Sequence, residues 1–255
     1  MVTRVSQNHV CQSTVIELRQ YTLYRGERDT LINLFDAVFI ESQEQVGIEV
    51  IGQFRDLDDE AKFVWLRGFS DMDERARSLT KFYASSVWKA NRDAATATMV
   101  DSDDVLLLRP VRSGSGFSLD HSRHNRASDG GERGVVEATI LQLESPPMAE
   151  ALRTFERMIG PLTMASGGRV LAFLVTEASE NNYPALPIRQ GVNVLAWFSG
   201  FTDRVARENY LQYQEDLLRA LASVPGSSGV AQVLRLAPTR RSLLHGMSRP
   251  SALVG

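Results

Sequence analysis

One pattern occurs twice. Trp65-Leu66-Arg67-Gly68-Phe69-Ser70-Asp71 and Trp197-Phe198-Ser199-Gly200-Phe201-Thr202-Asp203 both read Trp-x-x-Gly-Phe-(Ser/Thr)-Asp, about 132 positions apart. Two further pairs flank it: Val15-Ile16-Glu17 with Val135-Val136-Glu137, and Leu106-Leu107-Leu108-Arg109-Pro110 with Leu234-Arg235-Leu236-Ala237-Pro238. A period above about 100 residues points to a duplicated domain rather than a solenoid. Between the copies lies a stretch rich in Ser, Gly and Arg that reads as a flexible linker. The expected organisation is a loose tail at residues 1–12, a first unit at 13–111, a linker at 112–134, a second unit at 135–238 and a C-terminal tail at 239–255.

Each copy alternates strand and helix signals. In the first, residues 15–23 are rich in strand formers, and Leu31, Leu34, Phe35, Val38 and Phe39 then recur at helical spacing. Gly47 interrupts, residues 48–54 read as a strand, and the turn cluster Asp56-Leu57-Asp58-Asp59 returns the chain as a hairpin over 62–69. Ser70 or Asp71 then suits the N-cap of a helix with Leu79 and Phe82 inward, followed by a helical piece over 87–97 and a strand over 105–108. The second copy repeats this order, with a longer hairpin loop over 177–191 containing Pro184 and Pro187. The expected fold class is α+β: two tandem ferredoxin-like βαββαβ units forming an intramolecular, pseudo-dimeric α/β barrel.

The face assignment follows from alternation along each strand. Ile16, Leu18, Val50, Phe54, Val64 and Leu66 form an aliphatic set expected beneath the helices. Glu17, Arg19, Tyr21, Glu49, Ile51, Gln53, Phe63, Trp65 and Arg67 form the opposite set. An uncovered face carrying Ile51, Phe63 and Trp65 would be a liability, so it is expected to meet Leu141, Leu195 and Trp197 of the second copy across a barrel lumen.

Composition narrows the partners. Hydrophobic residues make up 43% and charged residues 23%, which excludes disorder for most of the chain. A net charge of −3 with no basic stripe argues against a nucleic-acid partner. No apolar run is long enough for a membrane span, the start lacks a secretory core, and Cys11 is the one cysteine, all of which fit a cytoplasmic protein.

Gly52-Gln53-Phe54-Arg55-Asp56-Leu57-Asp58, Phe63-Val64-Trp65-Leu66-Arg67-Gly68-Phe69, Trp88 through Arg92-Asp93, and residues 98–110 together resemble bacterial NIPSNAP-family proteins. The resemblance covers residues 14–110 and rests in the second copy on the Trp-x-x-Gly-Phe pattern. It implies a dimeric α/β-barrel fold and little about a reaction. The family's animal members are linked to mitochondria and vesicle traffic as interaction proteins. Relatives sharing only the barrel include cofactor-free monooxygenases, haem enzymes and polyketide cyclases.

The chemistry-bearing residues are few. His9, His121, His124 and His245 fall in tails or linker, so neither a haem ligand nor a histidine base is expected in the core, and no cofactor or metal is expected. Cys11 lacks a neighbouring base. The candidates are Arg19, Tyr21, Gln53, Trp65 and Arg67 on the lumen face, with a second cluster of Trp88, Asn91 and Arg92 on a helix. Two readings stay open for the first group: a pocket with an aromatic wall and a cationic clamp for a small hydrophobic or aromatic ligand, or an ion-pair network joining the halves. Trp88 and Arg92, four apart, read either as a pocket wall or as an anchor Trp capped by a stacked Arg. Arg19 matches Thr139 and Arg67 matches Ser199, which places any polar site in the first half. The expected assembly is a monomer or a homodimer through the outer helices.

Overall fold

In the computed structural model of the chain, the described residues are 9–10, 13–119, 134–147, 149–210 and 214–247. A short strand β1 (His9–Val10) precedes β2 (Val15–Leu23), α1 (Arg28–Leu34), a π-helical turn (Phe35–Phe39), α2 (Ile40–Glu44), β3 (Glu49–Asp56), β4 (Lys62–Phe69), α3 (Met72–Ala84), α4 (Ser86–Thr96) and β5 (Met99–Pro110). After β6 (Ser118–Leu119) come β7 (Val135–Leu143), α5 (Ala149–Thr154), a second π-helical turn (Phe155–Ile159), α6 (Gly160–Ala165), β8 (Arg169–Thr176), β9 (Asn193–Phe201), α7 (Arg204–Tyr210), α8 (Gln214–Ala222) and β10 (Ser227–Pro238). No helix among the described residues is long and apolar enough to cross a membrane.

Eight strands close an antiparallel barrel in the order β10-β3-β4-β2-β5-β8-β9-β7, with β7 pairing back to β10. The first half contributes β3-β4-β2-β5 and the second β8-β9-β7-β10. Two short seams join them. At one, Leu108, Arg109 and Pro110 face Thr176, Val175 and Leu174; at the other, Leu236, Ala237 and Pro238 face Asp56, Arg55 and Phe54.

The repeated Trp-x-x-Gly-Phe-(Ser/Thr)-Asp pattern has a structural reason at each position. Both tryptophans are buried beneath helices, and both phenylalanines are buried. A Cβ on Gly68 would lie 2.2 Å from Ser13 Oγ, so only glycine fits there. Each aspartate caps the following helix: Asp71 accepts from the Glu74 N–H at 2.6 Å and Asp203 from the Ala206 N–H at 2.8 Å.

The two faces of the sheet are the reverse of the expectation. Ile16, Leu18, Val64, Leu66, Leu106 and Leu108 point into the barrel, where they meet Val136, Ala138, Ile140, Leu174, Ala196 and Phe198 of the second half. Tyr21, Phe63 and Trp65 instead pack under the first-half helices with Phe35, Phe39, Leu79 and Phe82. Leu141, Leu195 and Trp197 likewise lie under the second-half helices. The lumen of an eight-stranded barrel is narrow and is filled by side chains, so it takes branched aliphatics. The wider gap beneath the helices takes the rings and long polar chains. Strand β3 does not keep one parity, because a bulge between Val50 and Gly52 shifts its register. Val50 therefore faces the helices while Ile51 and Phe54 face the lumen. A Cβ on Gly52 would sit 2.6 Å from the Phe54 ring.

Three segments read from sequence as loose make contacts in the fold. Phe117 and Leu119, in the expected linker, are buried in the lumen core, and the Phe117 ring meets Phe198 edge-on at 5.0 Å. His9–Val10, in the expected tail, pairs with Ser118–Leu119. Leu243 and Leu244, in the expected C-terminal tail, join the same core. The Leu244 N–H donates to the Ile51 carbonyl at 2.8 Å, the Thr239 N–H to the Gln53 carbonyl at 2.8 Å, and Arg241 pairs with Glu41. The lumen is thus an apolar core stoppered by chain.

Replacing Leu243 and Leu244 together by Ala is expected to lower stability by about 2–5 kcal/mol for each side chain. Urea unfolding followed by circular dichroism measures it. A loss within error of zero would show that the segment does not stopper the barrel in solution.

Candidate functional site

The polar residues displaced from the lumen converge beneath the first-half helices. Glu17, Arg19 and Tyr21 share one face of β2, and β4 sets Arg67 opposite Glu17, Trp65 opposite Arg19 and Phe63 opposite Tyr21. Arg75 enters from the first turn of α3, where the Asp71 cap fixes the helix start. Glu17 Oε2 accepts from Arg19 Nη1 at 2.7 Å and from Arg67 Nε at 2.7 Å; its Oε1 accepts from Arg75 Nε at 2.7 Å. All four side chains are no more than 1% exposed.

One carboxylate therefore holds three guanidiniums. Burial pushes the Glu17 carboxyl upward, but Arg67, Arg19 and Arg75 outweigh it and hold the group well below the usual carboxylate range. Arg19 is opposed by burial, yet Tyr21 and Glu17 raise it above its ordinary value. Arg75 is different: burial lowers it despite Glu17, and its two arginine neighbours add to the effect. Aromatic faces complete the wall. The Arg67 guanidinium lies 5.1 Å from the Trp65 ring and 5.7 Å from Phe69; that of Arg19 lies 5.5 Å from Tyr21 and 5.6 Å from Trp65.

Several buried polar atoms here have no hydrogen-bond partner: Arg67 Nη2, Arg75 Nη2, and both Nε2 and Oε1 of Gln53. The Trp65 indole N–H is also unpaired, but so is that of Trp197, so it is common to both halves of the barrel. Arg67 Nη1 reaches Gln43 Oε1 at 3.3 Å, and Arg19 Nε reaches the Tyr21 hydroxyl at 3.1 Å.

The second half shows what the same framework looks like without the extra charge. Glu137 pairs with Arg207 alone, Oε2 accepting from Nε and Nη2 at 2.7 Å. Thr139 and Ser199 stand where the first half has Arg19 and Arg67. Opposite the tryptophans, Gln53 is replaced by Phe173, which stacks on Phe155 at 3.6 Å. The common element is one Glu–Arg pair between strand and helix. Arg19, Arg67 and Gln53 are the additions.

The second half nonetheless reaches the site. Its long β8–β9 connection lays Asn181 and Asn182 on Arg75, with Nη1 donating to Asn181 Oδ1 at 3.1 Å and to Asn182 Oδ1 at 2.8 Å. Asn182 Nδ2 donates to the Met72 carbonyl at 2.6 Å, and Tyr183 stacks on Tyr83 with centroids 5.9 Å apart. Leu186 and Ile188 add to the first-half core. The Tyr83 phenol is pushed above its usual value by burial, which the nearby Arg67 only partly offsets.

Of the residues expected from sequence, Arg19, Tyr21, Trp65 and Arg67 come together with Gln53 on the neighbouring strand, on the helix side rather than in the lumen. Trp88 anchors α4 in an aromatic cluster, 4.9 Å from Tyr83 and 5.6 Å from both Phe39 and Phe82. Arg92 is not stacked on it: the side chain is exposed and bonds Asp93 at 2.9 Å. Asn91 binds its own helix through the Val87 carbonyl at 2.9 Å. Neither Asn91 nor Arg92 contributes to the arginine cluster. Glu49, half-buried, accepts from Ser13 Oγ at 2.5 Å. His245 Nδ1 lies 2.9 Å from the Gly246 carbonyl, while Cys11, His121 and His124 fall outside the described residues. No group of three or more His, Cys, Asp or Glu among the described residues could hold a metal ion. Sequence reasoning missed Arg75, Gln43, Asn181 and Asn182. For Arg75 the signal existed, because Arg75 and Arg207 both follow the capping aspartate by four residues.

The two glutamates give opposite pH behaviour. Glu17 has a folded-state pKa below its ordinary value of 4.5, so its contribution is present above 4.5 and is lost as pH falls. Glu137 is raised by burial more than Arg207 offsets, so its contribution is present below the ordinary range and fades as pH rises through the folded value. Glu17→Gln is expected to cost about 3–5 kcal/mol at pH 7 and to flatten the acid limb of the stability profile. Glu137→Gln is expected to cost much less at pH 7. Urea unfolding of both variants between pH 3 and 7 checks this; equal losses would contradict it.

Along nearly its whole length the chain has the fold of two solved proteins, each provisionally named a monooxygenase. One, from Lactobacillus acidophilus NCFM, is 11% identical with a TM-score of 0.52, over 89% of this chain and 94% of that one. The other, from Fusobacterium nucleatum subsp. nucleatum, is 8% identical with a TM-score of 0.56, over 94% and 99%. At these identities the likeness concerns the fold alone. A NIPSNAP-like domain protein from Burkholderia xenovorans aligns over 40% of this chain and 87% of its own, at 24% identity and a TM-score of 0.36. No protein of curated function matches. Residues 16–113, the half of the barrel that holds the arginine cluster, match the NIPSNAP family.

Proposed function

We propose that the chain is a small-molecule-binding protein built from two tandem ferredoxin-like units, with its ligand held between sheet and helices of the first unit. The duplication is supported by the matching element order, by the strand orders β3-β4-β2-β5 and β8-β9-β7-β10, and by π-helical turns at Phe35–Phe39 and Phe155–Ile159. Such turns widen a helix locally and recur at functional sites. The one observation that carries the binding reading is the set of buried, unpaired donors on Arg67, Arg75 and Gln53. Buried polar groups are ordinarily satisfied, and leaving them unmet costs about 1–3 kcal/mol apiece. A bound molecule would satisfy them.

The setting suits an aromatic or polyketide-like compound. Trp65, Tyr21 and Phe69 offer ring faces, and the guanidiniums lie where they could stabilise an enolate formed during cofactor-independent oxygenation or cyclisation. The two solved folds provisionally named monooxygenases are in keeping with such a reaction. A second reading, a protein-interaction module, draws on Met158, Met164, Val205 and Leu218, large apolar residues exposed on the second-half helices.

The Arg19→Thr/Arg67→Ser double variant rewrites the first half to the second half's own pattern, which the chain already folds. Native mass spectrometry of protein purified from its own host is expected to show a small molecule on the wild type, released on denaturation and absent from the variant. Full retention of that mass in a folded variant would overturn the placement of the site.

A further inference from the structure

We propose that the ligand of the first-half chamber is an oxyanion, a carboxylate or a phosphate ester, bound by the free Nη2 groups of Arg67 and Arg75. The inference rests on the binding reading above and adds the sign of the charge.

Three buried guanidiniums surround one buried carboxylate. An arginine does not shed its proton in a protein, so the cluster carries a positive excess. Uncompensated charge in a dry interior is costly, and the usual remedy is a partner of opposite sign. Among the described residues no further carboxylate bonds these arginines. Tyr21 and Tyr83 are phenols, and the amides of Gln43, Asn181 and Asn182 meet the arginines through neutral oxygens. Glu74, the acid on α3 nearest Arg75 in sequence, is turned to Ser78 and Arg77.

The geometry of the free groups matches an oxyanion. Arg67 and Arg75 bind opposite oxygens of Glu17 through Nε, and each leaves Nη2 without a partner. Both arginines flank one carboxylate and each keeps an unpaired guanidinium nitrogen, a donor of the kind that binds carboxylate or phosphate oxygens. Gln53, on the strand beside Trp65, has an unpaired amide able to donate as well. The internal comparison isolates the cause. In the second half the glutamate and the arginine are one to one, the two added arginines are Thr139 and Ser199, and a phenylalanine replaces Gln53. The framework folds without the excess charge, so the excess is not required by the fold.

The test uses the full chain and three probes of similar size: benzoate, phenyl phosphate and neutral benzamide, titrated by calorimetry. One of the two anions is expected to saturate at least about tenfold more tightly than benzamide, the size of effect a charge-assisted hydrogen bond supplies. Which anion binds better separates a carboxylate ligand from a phosphate ester. Arg67→Ser is expected to remove the preference, leaving neither anion bound more tightly than benzamide. Because that variant could fold poorly, Gln53→Glu serves as a second one; it places a negative charge beside the cluster and should weaken anion binding at least about tenfold more than it weakens benzamide binding. Benzamide binding as tightly as the anions, in a manner lost on Gln53→Phe, would overturn the anion assignment and leave the chamber standing. Binding of none of the three, with no small molecule on the host-purified protein, would overturn both.

Discussion

The arrangement depends on the carboxylate of Glu17. It sits on a central strand of the first half, wholly buried, and receives one N–H from each of three arginines that arrive from β2, β4 and α3. Strand, neighbouring strand and covering helix are thereby tied at one atom group. Such a knot is a poor way to add stability, since desolvating each ion costs several kcal/mol. The second half makes that plain: it holds the same strand to the same helix with one glutamate and one arginine. What the first half adds is charge: Arg19 and Arg67 on the same carboxylate.

The lumen and the chamber divide the work. The barrel interior is a packed aliphatic core, closed by Phe117, Leu119, Leu243 and Leu244. It fixes the strands, and the arginine cluster lies on the other face of the sheet, beneath the helices. The second unit contributes through its long β8–β9 connection, where Asn181, Asn182 and Tyr183 close over Arg75 and Tyr83. The first half alone would lack that cover.

Much of the architecture was legible in the residues. The Trp-x-x-Gly-Phe-(Ser/Thr)-Asp pattern located both hairpin returns and both capping aspartates. The Arg19/Thr139 and Arg67/Ser199 mismatches pointed to the first half as the polar one. The face assignment was not legible. Alternation says which residues share a side, but not which side faces the lumen, and assigning aliphatics to the helix layer reversed the answer. In β3 the bulge at Val50–Gly52 broke the alternation itself. The packing of residues 117–119 and 239–244 depends on contacts far away in sequence, such as Leu244 with Ile51, and nothing local announces them. The same distance hid Asn181 and Asn182, whose partner Arg75 lies in the other half. Arg92 was misread for a simpler reason: four-residue spacing permits stacking on Trp88, yet an adjacent Asp93 offers an exposed partner at no burial cost.

A crystal structure of the protein purified from its own host, at a resolution that separates waters from larger groups, addresses the central claim most directly. The account predicts density for a molecule with an oxygen pair within hydrogen-bonding distance of both Arg67 Nη2 and Arg75 Nη2, beside the Trp65 and Tyr21 rings. Ordered water alone on those two nitrogens, with Gln53 satisfied in the same way, would contradict it and leave the three arginines as a hydrated structural knot.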